Sequence, residues 1–332
     1  MKTKKNNLPL IISILDEACS SFGYSFNNLD DNSNMIFSVS NGKKTFFSSV
    51  SGIYPLNPSS NSKLVKDKVW TSMFLRSKGY KVPSGNHFFT IPNYLAFDTS
   101  GKEIEDALVF ADSIGYPVFV KPNSCSQGLF AEIDYSPQEV RDHFDQISEV
   151  DHIAIVQEKI TGLEYRIFVS NGEPQFAYSK SACKIIGNGK QNVLSLIDIV
   201  NQNIQKTNNQ INPSSIYLKN HLAEQGLSLN SFLKIGEELK VSSKKNLSAG
   251  GEIIDYTENF SDLTIDWAKE LVNCLGLGVV GIDVFVQDSI NKPDGFTIIE
   301  VNNNPGLSGI YKLGKKEKVM DIWKKILETY FN

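Results

Sequence analysis

Two acid-bearing segments near the C-terminal end of the chain carry the residues best suited to chemistry. Asp283 lies in the apolar run 281–286, and Glu300 and Asn302 lie in the apolar run 297–302. Side chains two apart on a strand share a face, so Glu300 and Asn302 are expected to point the same way. If Asp283 lies on a neighbouring strand, three oxygen donors meet on one surface.

Such a group of hard oxygen donors suits Mg²⁺. This ion gives up its water reluctantly and is bound by a few protein oxygens together with nucleotide phosphates. A carboxylate inside an apolar strand is also costly unless it is paired or bound to a metal. The sequence therefore predicts a magnesium and nucleotide site at Asp283, Glu300 and Asn302. The alternative is that Asp283 caps a turn while Glu300 forms a surface ion pair.

A lysine and a polar loop further upstream form a second candidate site. Lys121 follows the apolar run 118–120, which predicts a buried strand with an ammonium group at its end. The loop 123–128, which includes Ser126, is small and polar enough to bring backbone N–H groups to a phosphate. Taken alone, a lysine in this position is more often a solvated side chain.

A polar hinge after the predicted strand 153–156 is the third candidate. Its residues are Gln157, Glu158, Lys159 and Ile160. The backbone of such a hinge could bind adenine, and Glu164 just beyond it could take the ribose hydroxyls. An ordinary solvated loop carboxylate explains Glu164 equally well.

The elements that would position these residues follow from hydrophobic patterning. Apolar residues at helical spacing predict an amphipathic helix over 8–18, and β-rich runs around Asn41-Gly42 predict a hairpin over 35–47. An Asn, Pro and Ser-rich passage at 55–62 indicates a boundary, and a helix is predicted over 63–79. Strands and helices alternate beyond residue 82, which favours a mixed α/β architecture with a polar surface insertion at 201–215.

Composition excludes several classes of function. The 332 residues are 41% hydrophobic and 21% charged with a formal charge of −4, which offers no general attraction for nucleic acid or anionic membranes. No segment is long and apolar enough to span a bilayer. The four cysteines are far apart and lack the spacing of metal ligands, so we expect neither a zinc site nor a disulfide framework. This cysteine usage favours a cytoplasmic location.

The order of these pieces resembles the ATP-grasp superfamily, in the branch that contains cyanophycin synthetases and the ATP-grasp half of bifunctional glutathione synthetases. The resemblance runs from about residue 61 to residue 309. The segments that carry it are Asp67-Lys68, 79–83, 116–122, 157–162, 187–190, 197–201, 246–251, 281–283 and 300–302. Together, in one order, they are specific for the superfamily and much less so for its substrates.

The resemblance implies an α/β (α+β) fold of the ATP-grasp type, in which two α+β lobes clasp ATP beside a short N-terminal α/β unit. The implied domains are residues 1–62 for the N-terminal unit, 63–160 for the lobe with the phosphate-binding loop, and 161–332 for the lobe with the metal site.

The resemblance also implies a role for each candidate residue. Lys68, Lys121 and Ser126 would contact the ATP phosphates, residues 157–160 would frame the adenine, and Glu164 would bind ribose. Asp283, Glu300 and Asn302 would hold two Mg²⁺ ions, with Mn²⁺ as a substitute. Three further residues, Arg166, Lys244 and Asn246, would lie against the acyl phosphate and the tetrahedral oxyanion.

The implied activity is that of an ATP-dependent carboxylate–amine ligase acting on an amino acid or short peptide, with homodimers common among relatives. Two alternatives use the same residues: an ATP-dependent phosphotransferase and a non-catalytic nucleotide-binding module. The chain departs from the pattern at Cys125 and Phe130, where relatives often have glycine. It departs again at Lys180 and Lys244, where many have arginine.

Overall fold

The protein is described by a computed structural model that covers residues 9–30, 35–91, 100–126, 128–180, 183–203, 210–241, 253–256 and 260–332. Contacts between residues group the chain into two compact units. The first consists of Met1–Lys66, Tyr165–Ala177 and Tyr256–Asn332, and the second of Asp67–Glu164 and Tyr178–Asp255. The three domains implied by the resemblance stay a prediction.

The helices of the first unit are α1 (Leu10–Phe22), α2 (Ser59–Lys66), α8 (Asp262–Leu275), α9 (Ser308–Lys312) and α10 (Lys316–Phe331). Its strands are β1 (Ser25–Asn28), β2 (Ile36–Ser40), β3 (Thr45–Ser49), β13 (Val279–Val286) and β14 (Thr297–Asn302). The strands β8 (Leu163–Ser170) and β9 (Glu173–Lys180) begin and end close to the unit boundaries.

The N-terminal elements confirm the predicted helix and hairpin. α1 buries Ile12, Leu15 and Ala18 on one face, and it ends where Gly23 adopts the left-handed conformation. β2 and β3 pair antiparallel on either side of Asn41-Gly42. β1, which pattern analysis did not predict, is short and polar and pairs with β2.

A five-stranded sheet positions the acidic residues of the first unit. Its strands in the first unit have the order β9-β8-β13-β14, and the remaining strand, β12 (Ile253–Asp255), pairs with residues 178–180 of β9 within the second unit. β13 and β14 are antiparallel, with Gly281 opposite Asn302 and Asp283 opposite Glu300, and the register shifts after Asp283. Val280, Ile282 and Val301 are buried, which explains the nearly continuous apolar sequence of both strands.

The helices of the second unit are α3 (Lys68–Ser77), α4 (Ile104–Ile114), α5 (Pro137–Ser148), α6 (Val193–Asn203) and α7 (Ile216–Glu224). Its complete strands, besides β12, are β4 (Gly85–Phe89), β5 (Val118–Pro122), β6 (Glu132–Asp134), β7 (Ile153–Glu158), β10 (Lys184–Ile186) and β11 (Glu238–Lys240).

Four of these strands form an antiparallel sheet of order β4-β7-β5-β6. Val118 and Val120 of β5 are buried together with Ala107 of α4 and Val140 of α5. A second buried cluster lies within residues 183–241 and includes Ile197 of α6. The strands predicted over 118–120 and 153–156 are thereby confirmed.

The helix predicted over 63–79 is wrong in one respect, because two helices occupy that range. The break falls at Asp67, whose extended backbone and carboxylate cap α3 by accepting a hydrogen bond from the Trp70 N–H at 2.8 Å. Of the predicted insertion, α6 accounts for residues up to Asn203, whereas residues 204–209 lie outside the described residues.

The described part of the chain contains no helix with the length and hydropathy needed to cross a bilayer. All four cysteines are free thiols: Cys19 and Cys183 are buried, and Cys125 and Cys274 are partly exposed.

Candidate functional site

The three predicted metal ligands share one face of the β13 and β14 pair in the first unit. Asp283 and Glu300 are direct partners across the two strands, and Asn302 lies two residues beyond Glu300. Partners in an antiparallel ladder project to the same side, so the side chains of Asp283, Glu300 and Asn302 form one oxygen-rich surface. We call these three residues the oxygen face.

Arg166 of β8 pairs with the oxygen face. Its Nε donates to Asp283 Oδ1 at 2.6 Å, and its second nitrogen, Nη2, donates to Asp283 Oδ2. The two side chains are only 17% and 11% exposed, so this bidentate pair provides the partner that a nearly buried carboxylate needs. A predicted catalytic residue and a predicted metal ligand are thus in direct contact.

Gly281 allows the segment after β14 to approach β13 closely. It lies opposite Asn302, and a Cβ atom at this position would come within 2.9 Å of the Cβ of Pro305, whereas its 3.6 Å distance to the Cδ of Arg166 would be an ordinary contact. A larger residue would therefore push Pro305 and the segment after β14 away. The glycine is required here for close approach rather than for an unusual backbone angle.

The segment just before α2 fixes the chain at the ends of both strands. The side chain of Asn57 accepts hydrogen bonds from the Gly278 and Val279 N–H groups at 2.9 and 2.8 Å. It also donates to the carbonyls of Val279 and Asn303 at 2.7 and 2.8 Å. The buried hydroxyl of Tyr54 donates to the Pro305 carbonyl at 2.5 Å. These bonds hold the residues that follow Asn302 in place.

Two predicted nucleotide ligands share a face of the four-stranded sheet in the second unit. Lys121 lies opposite Ile155 and Phe119 lies opposite Gln157, so Lys121 and Gln157 project away from the core formed with α4 and α5. Lys121 and Gln157 are 8% and 6% exposed. Gly85 lies opposite Gln157, where a Cβ would approach the Gln157 Cβ to 2.6 Å.

Lys68 at the start of α3 is directed at the loop that follows β5. Its ammonium donates to the backbone carbonyls of Asn123 at 3.2 Å and of Cys125 at 2.6 Å. Lys68 therefore holds the loop by its carbonyl groups, and Ser126 is exposed one residue further on. Burial and the nearby Asp151 carboxylate raise the pKa of the Cys125 thiol, although Lys68 opposes the shift, so this cysteine is not an activated nucleophile.

Asn123, the first residue of the predicted loop, has a structural role that sequence analysis did not assign. It is 2% exposed, its Oδ1 accepts from the Val69 N–H at 3.0 Å, and its Nδ2 donates to Asp67 Oδ2 at 2.8 Å. On the other side of the loop the Ser124 N–H donates to the Asp151 carboxylate at 2.6 Å. The start of the loop is thus fixed from α3 and from the residues before β7. The available sequence signal was only an asparagine directly after a buried strand.

Of the predicted hinge residues, Gln157 and Glu158 are the last two residues of β7, and Lys159 and Ile160 follow the strand. The Glu158 carboxylate accepts from the Ser84 N–H at 2.7 Å, and the Lys159 ammonium donates to Glu224 of α7 at 2.5 Å. Burial would raise the pKa of Glu224, but hydrogen bonds from Lys159 and Tyr135 outweigh it and lower that pKa. Ile160 follows in the turn, and Glu164 lies at the start of β8.

Two known proteins are similar to this chain in sequence. No protein-family model matches the chain. The cyanophycin synthetase of Crocosphaera subtropica is 31% identical over 255 residues, which cover 73% of this chain and 28% of that protein. The bifunctional glutathione biosynthesis protein of Streptococcus thermophilus is 26% identical over 254 residues, 73% of this chain and 32% of that protein. The chain therefore spans less than a third of the length of these two relatives.

A solved structure of a glutathione synthetase is similar to this chain in fold. The bifunctional glutathione synthetase from Pasteurella multocida superposes with a TM-score of 0.56 and 21% identity, over 91% of this chain and 41% of that one. The chain belongs to the ATP-grasp superfamily. The predicted ATP-grasp fold is thereby confirmed.

Two predicted catalytic residues of this ATP-grasp chain, Lys244 and Asn246, lie outside the described residues. In the parts of the chain that the structure describes, no three His, Cys, Asp or Glu side chains are grouped to hold a metal. The oxygen face has two carboxylates and one amide, so Asn302 is needed to complete it. The metal-binding role of these three residues stays a prediction, as do the roles of Lys68, Lys121, Ser126, residues 157–160 and Glu164.

Proposed function

We propose that the chain is an ATP-dependent carboxylate–amine ligase that forms an amide bond on an amino acid or a short peptide. The observation that carries the proposal is the oxygen face on β13 and β14 in a chain with the ATP-grasp fold. The names of its relatives support it, because cyanophycin synthetase and glutathione synthetase are both synthetases of amino-acid products.

The donor set of the oxygen face fits magnesium. Carboxylate and amide oxygens are the ligands that Mg²⁺ prefers, and neighbouring strands hold these three at fixed spacing. When bound, Mg²⁺ would neutralise charge on the phosphates during phosphoryl transfer, and Mn²⁺ would fit the same oxygens. Arg166 holds Asp283 in place with two hydrogen bonds, so the face is ordered by the chain itself.

The chain's own residues would then position the reactants. Lys121, nearly buried on the sheet, would place an ammonium against phosphate, and the loop held by Lys68 and Asn123 would present backbone N–H groups to it. Phosphoryl transfer depends on positioning and charge neutralisation more than on a covalent nucleophile. The substrate carboxylate would take the γ-phosphate to give an acyl phosphate and ADP. The amine would then attack the carbonyl carbon, losing a proton and releasing phosphate as the amide forms.

The experiment that tests this proposal follows phosphate and amide together. Purified protein is incubated with ATP, Mg²⁺ and pools of amino acids and short peptides, and phosphate release is compared with new amide products by mass spectrometry. We expect phosphate release to depend on both a carboxylate and an amine, with one new amide for each phosphate. A stable phosphorylated product that accumulates without an amine would instead establish a phosphotransferase, and nucleotide binding without turnover would establish a binding module.

Two subsidiary proposals have their own support. A cytoplasmic location agrees with four cysteines that are all free thiols, since disulfides are rare in reducing compartments. A homodimer follows from the resemblance alone, and sedimentation of the purified chain would test it.

A further inference from the structure

Phe130, at the end of the loop after β5, has an unusual backbone. Its φ is +49°, in the left-handed region that bulky side chains rarely adopt. Asn171 is the other non-glycine residue with positive φ in the described ranges, and asparagine tolerates this region far better than phenylalanine. Something in the surrounding structure must therefore hold Phe130 in this conformation.

Two contacts hold Phe130. Its ring packs against the buried cluster that includes Val118, Val140 and Phe144. Its carbonyl oxygen lies 3.0 Å from Nε2 of His143 on α5. A carbonyl oxygen only accepts hydrogen bonds, so Nε2 must carry a proton and donate it. His143 thereby fixes the direction of the peptide group that follows the strained residue.

His143 is itself held rigidly. It is 0% exposed, and its Nδ1 lies 3.0 Å from Oδ2 of Asp134, the last residue of β6, which is also 0% exposed. With Nε2 protonated, this second contact needs one proton between Nδ1 and the carboxylate, on either atom. Both arrangements leave the Nε2–H bond to Phe130 intact. The ring of Tyr217 from α7 lies against the imidazole, with centroids 5.8 Å apart.

The position of this pair gives it a role beyond packing. The loop leaves β5 after Pro122, the residue that follows Lys121, and enters β6 at Glu132, and β5 and β6 are paired. Lys68 and Asn123 hold the start of the loop, whereas His143 holds its end. Without His143, Phe130 would keep its ring contact but lose the bond that orients its carbonyl.

We propose that His143 is a positioning residue for the phosphate-binding loop, which it holds in register through the carbonyl of the left-handed Phe130. This inference rests on the proposed function, because it takes the loop after β5 as the one that meets the ATP phosphates. His143 is not proposed to contact ATP or substrate and acts only through the loop.

The test measures two quantities separately: amide hydrogen exchange in the loop and kcat of the reaction. His143→Ala should speed amide hydrogen exchange at residues 128–131 and lower kcat by about tenfold or more, since small misplacements of phosphate-binding groups are costly. KM for the amine should stay unchanged. His143→Gln keeps an amide donor near the position of Nε2 and should recover most of kcat. Ile147→Val, one turn further along α5 and equally buried, is the control and should leave both readouts unchanged.

If His143→Ala does not fold, His143→Asn replaces it, because the shorter amide can pair with Asp134 but does not reach the Phe130 carbonyl as Nε2 does. Phe130→Gly supplies a second background. In Phe130→Gly, glycine adopts the positive φ without help, so removal of His143 should cost less than about twofold in kcat. An equal loss in both backgrounds, or a folded His143→Ala with the kcat and loop exchange of the parent chain, would overturn the inference.

Hydrogen exchange and nucleotide binding do not require turnover, which separates the two proposals. A chain with no ATP-dependent amide formation whose loop exchange depends on His143 would defeat the proposed function alone. If the chain forms amides but His143 variants keep the parent kcat and loop exchange, only the proposed role of His143 is wrong.

Discussion

The oxygen face of the first unit carries the predicted metal ligands and the loop after β5 in the second unit carries predicted phosphate ligands, yet the two regions are built in different ways. The oxygen face is a product of strand register: Asp283 lies opposite Glu300, and Asn302 follows two residues later. The loop instead depends on side chains from other elements, because Lys68, Asn123 and His143 hold its carbonyl and amide groups.

This difference predicts which property a substitution in each region should change. A change on the oxygen face removes a predicted ligand but leaves the ladder of backbone hydrogen bonds intact. A change at Asn123 or His143, which hold the loop without being predicted ligands, instead displaces backbone groups. Substitutions on the oxygen face should therefore lower the reaction rate without disordering the backbone, whereas those at residues that hold the loop should disorder the loop backbone.

The largest effect is expected on the oxygen face. Glu300→Gln should reduce kcat by about 10²- to 10³-fold, as is typical when one preorganised electrostatic group is removed, with the fold intact. Asp283→Asn should do the same and also destabilise the first unit, because Arg166 loses its nearly buried partner. Steady-state kinetics and thermal unfolding separate the two effects.

The exposed Asp288 supplies a matched control on the same unit, and Asp288→Asn should change neither quantity. Full activity in both Glu300→Gln and Asp283→Asn would mean that the oxygen face is not the metal site.

A smaller effect is expected where the loop is held at its start. Lys68→Met keeps the aliphatic stem but removes the donors to the carbonyls of Asn123 and Cys125. Hydrogen bonds from charged groups contribute about 1.5–3 kcal/mol, so ATP binding should weaken by roughly 10- to 100-fold. Calorimetric titration with ATP measures this, together with faster amide exchange at residues 123–126.

Lys66→Met, at the exposed end of α2, is the control for charge. An equal loss in Lys66→Met would show that net charge, rather than the bonds to the loop, determines ATP affinity.

The smallest effect concerns pH and is confined to the second unit. Burial lowers the pKa of His221 below its usual 6.5, although the Glu224 carboxylate opposes the shift. The unfolded chain then binds more protons than the folded chain below about pH 6.5, so stability should fall as the pH drops from 7 toward 5. With solvent screening, the change should be less than about 1 kcal/mol.

Urea unfolding at several pH values, compared between the parent chain and His221→Asn, measures this contribution. The slope of stability against pH should become flatter in His221→Asn, while His152→Asn at an exposed position should keep the parent slope. An unchanged slope in His221→Asn would remove His221 as the source of the acid sensitivity.

Much of the fold was predictable because it is local. Helical spacing indicated α1, the Asn41-Gly42 turn indicated the hairpin of β2 and β3, and apolar runs indicated β13 and β14. The break between α2 and α3 was missed, since the apolar pattern continues through it and only the cap at Asp67 marks it. β1 was missed because a short polar strand carries almost no sequence signal.

The candidate site was predictable to the same extent. Alternation along a strand places Glu300 and Asn302 on one face without any structure. The pairing of Arg166 with Asp283 links residues 117 positions apart in sequence, and no local pattern encodes it. The same holds for Asn57, whose side chain bonds to groups more than 220 positions away.

The sequence by itself determined which residues could bind metal and phosphate, the strands that carry them and the superfamily they resemble, because residue type, spacing and alternation are local properties. Only the tertiary structure decided which side chains hold those groups in place. Arg166 on Asp283, Lys68 on the loop carbonyls and His143 on Phe130 are contacts between distant segments, and they exist only once the segments have packed together.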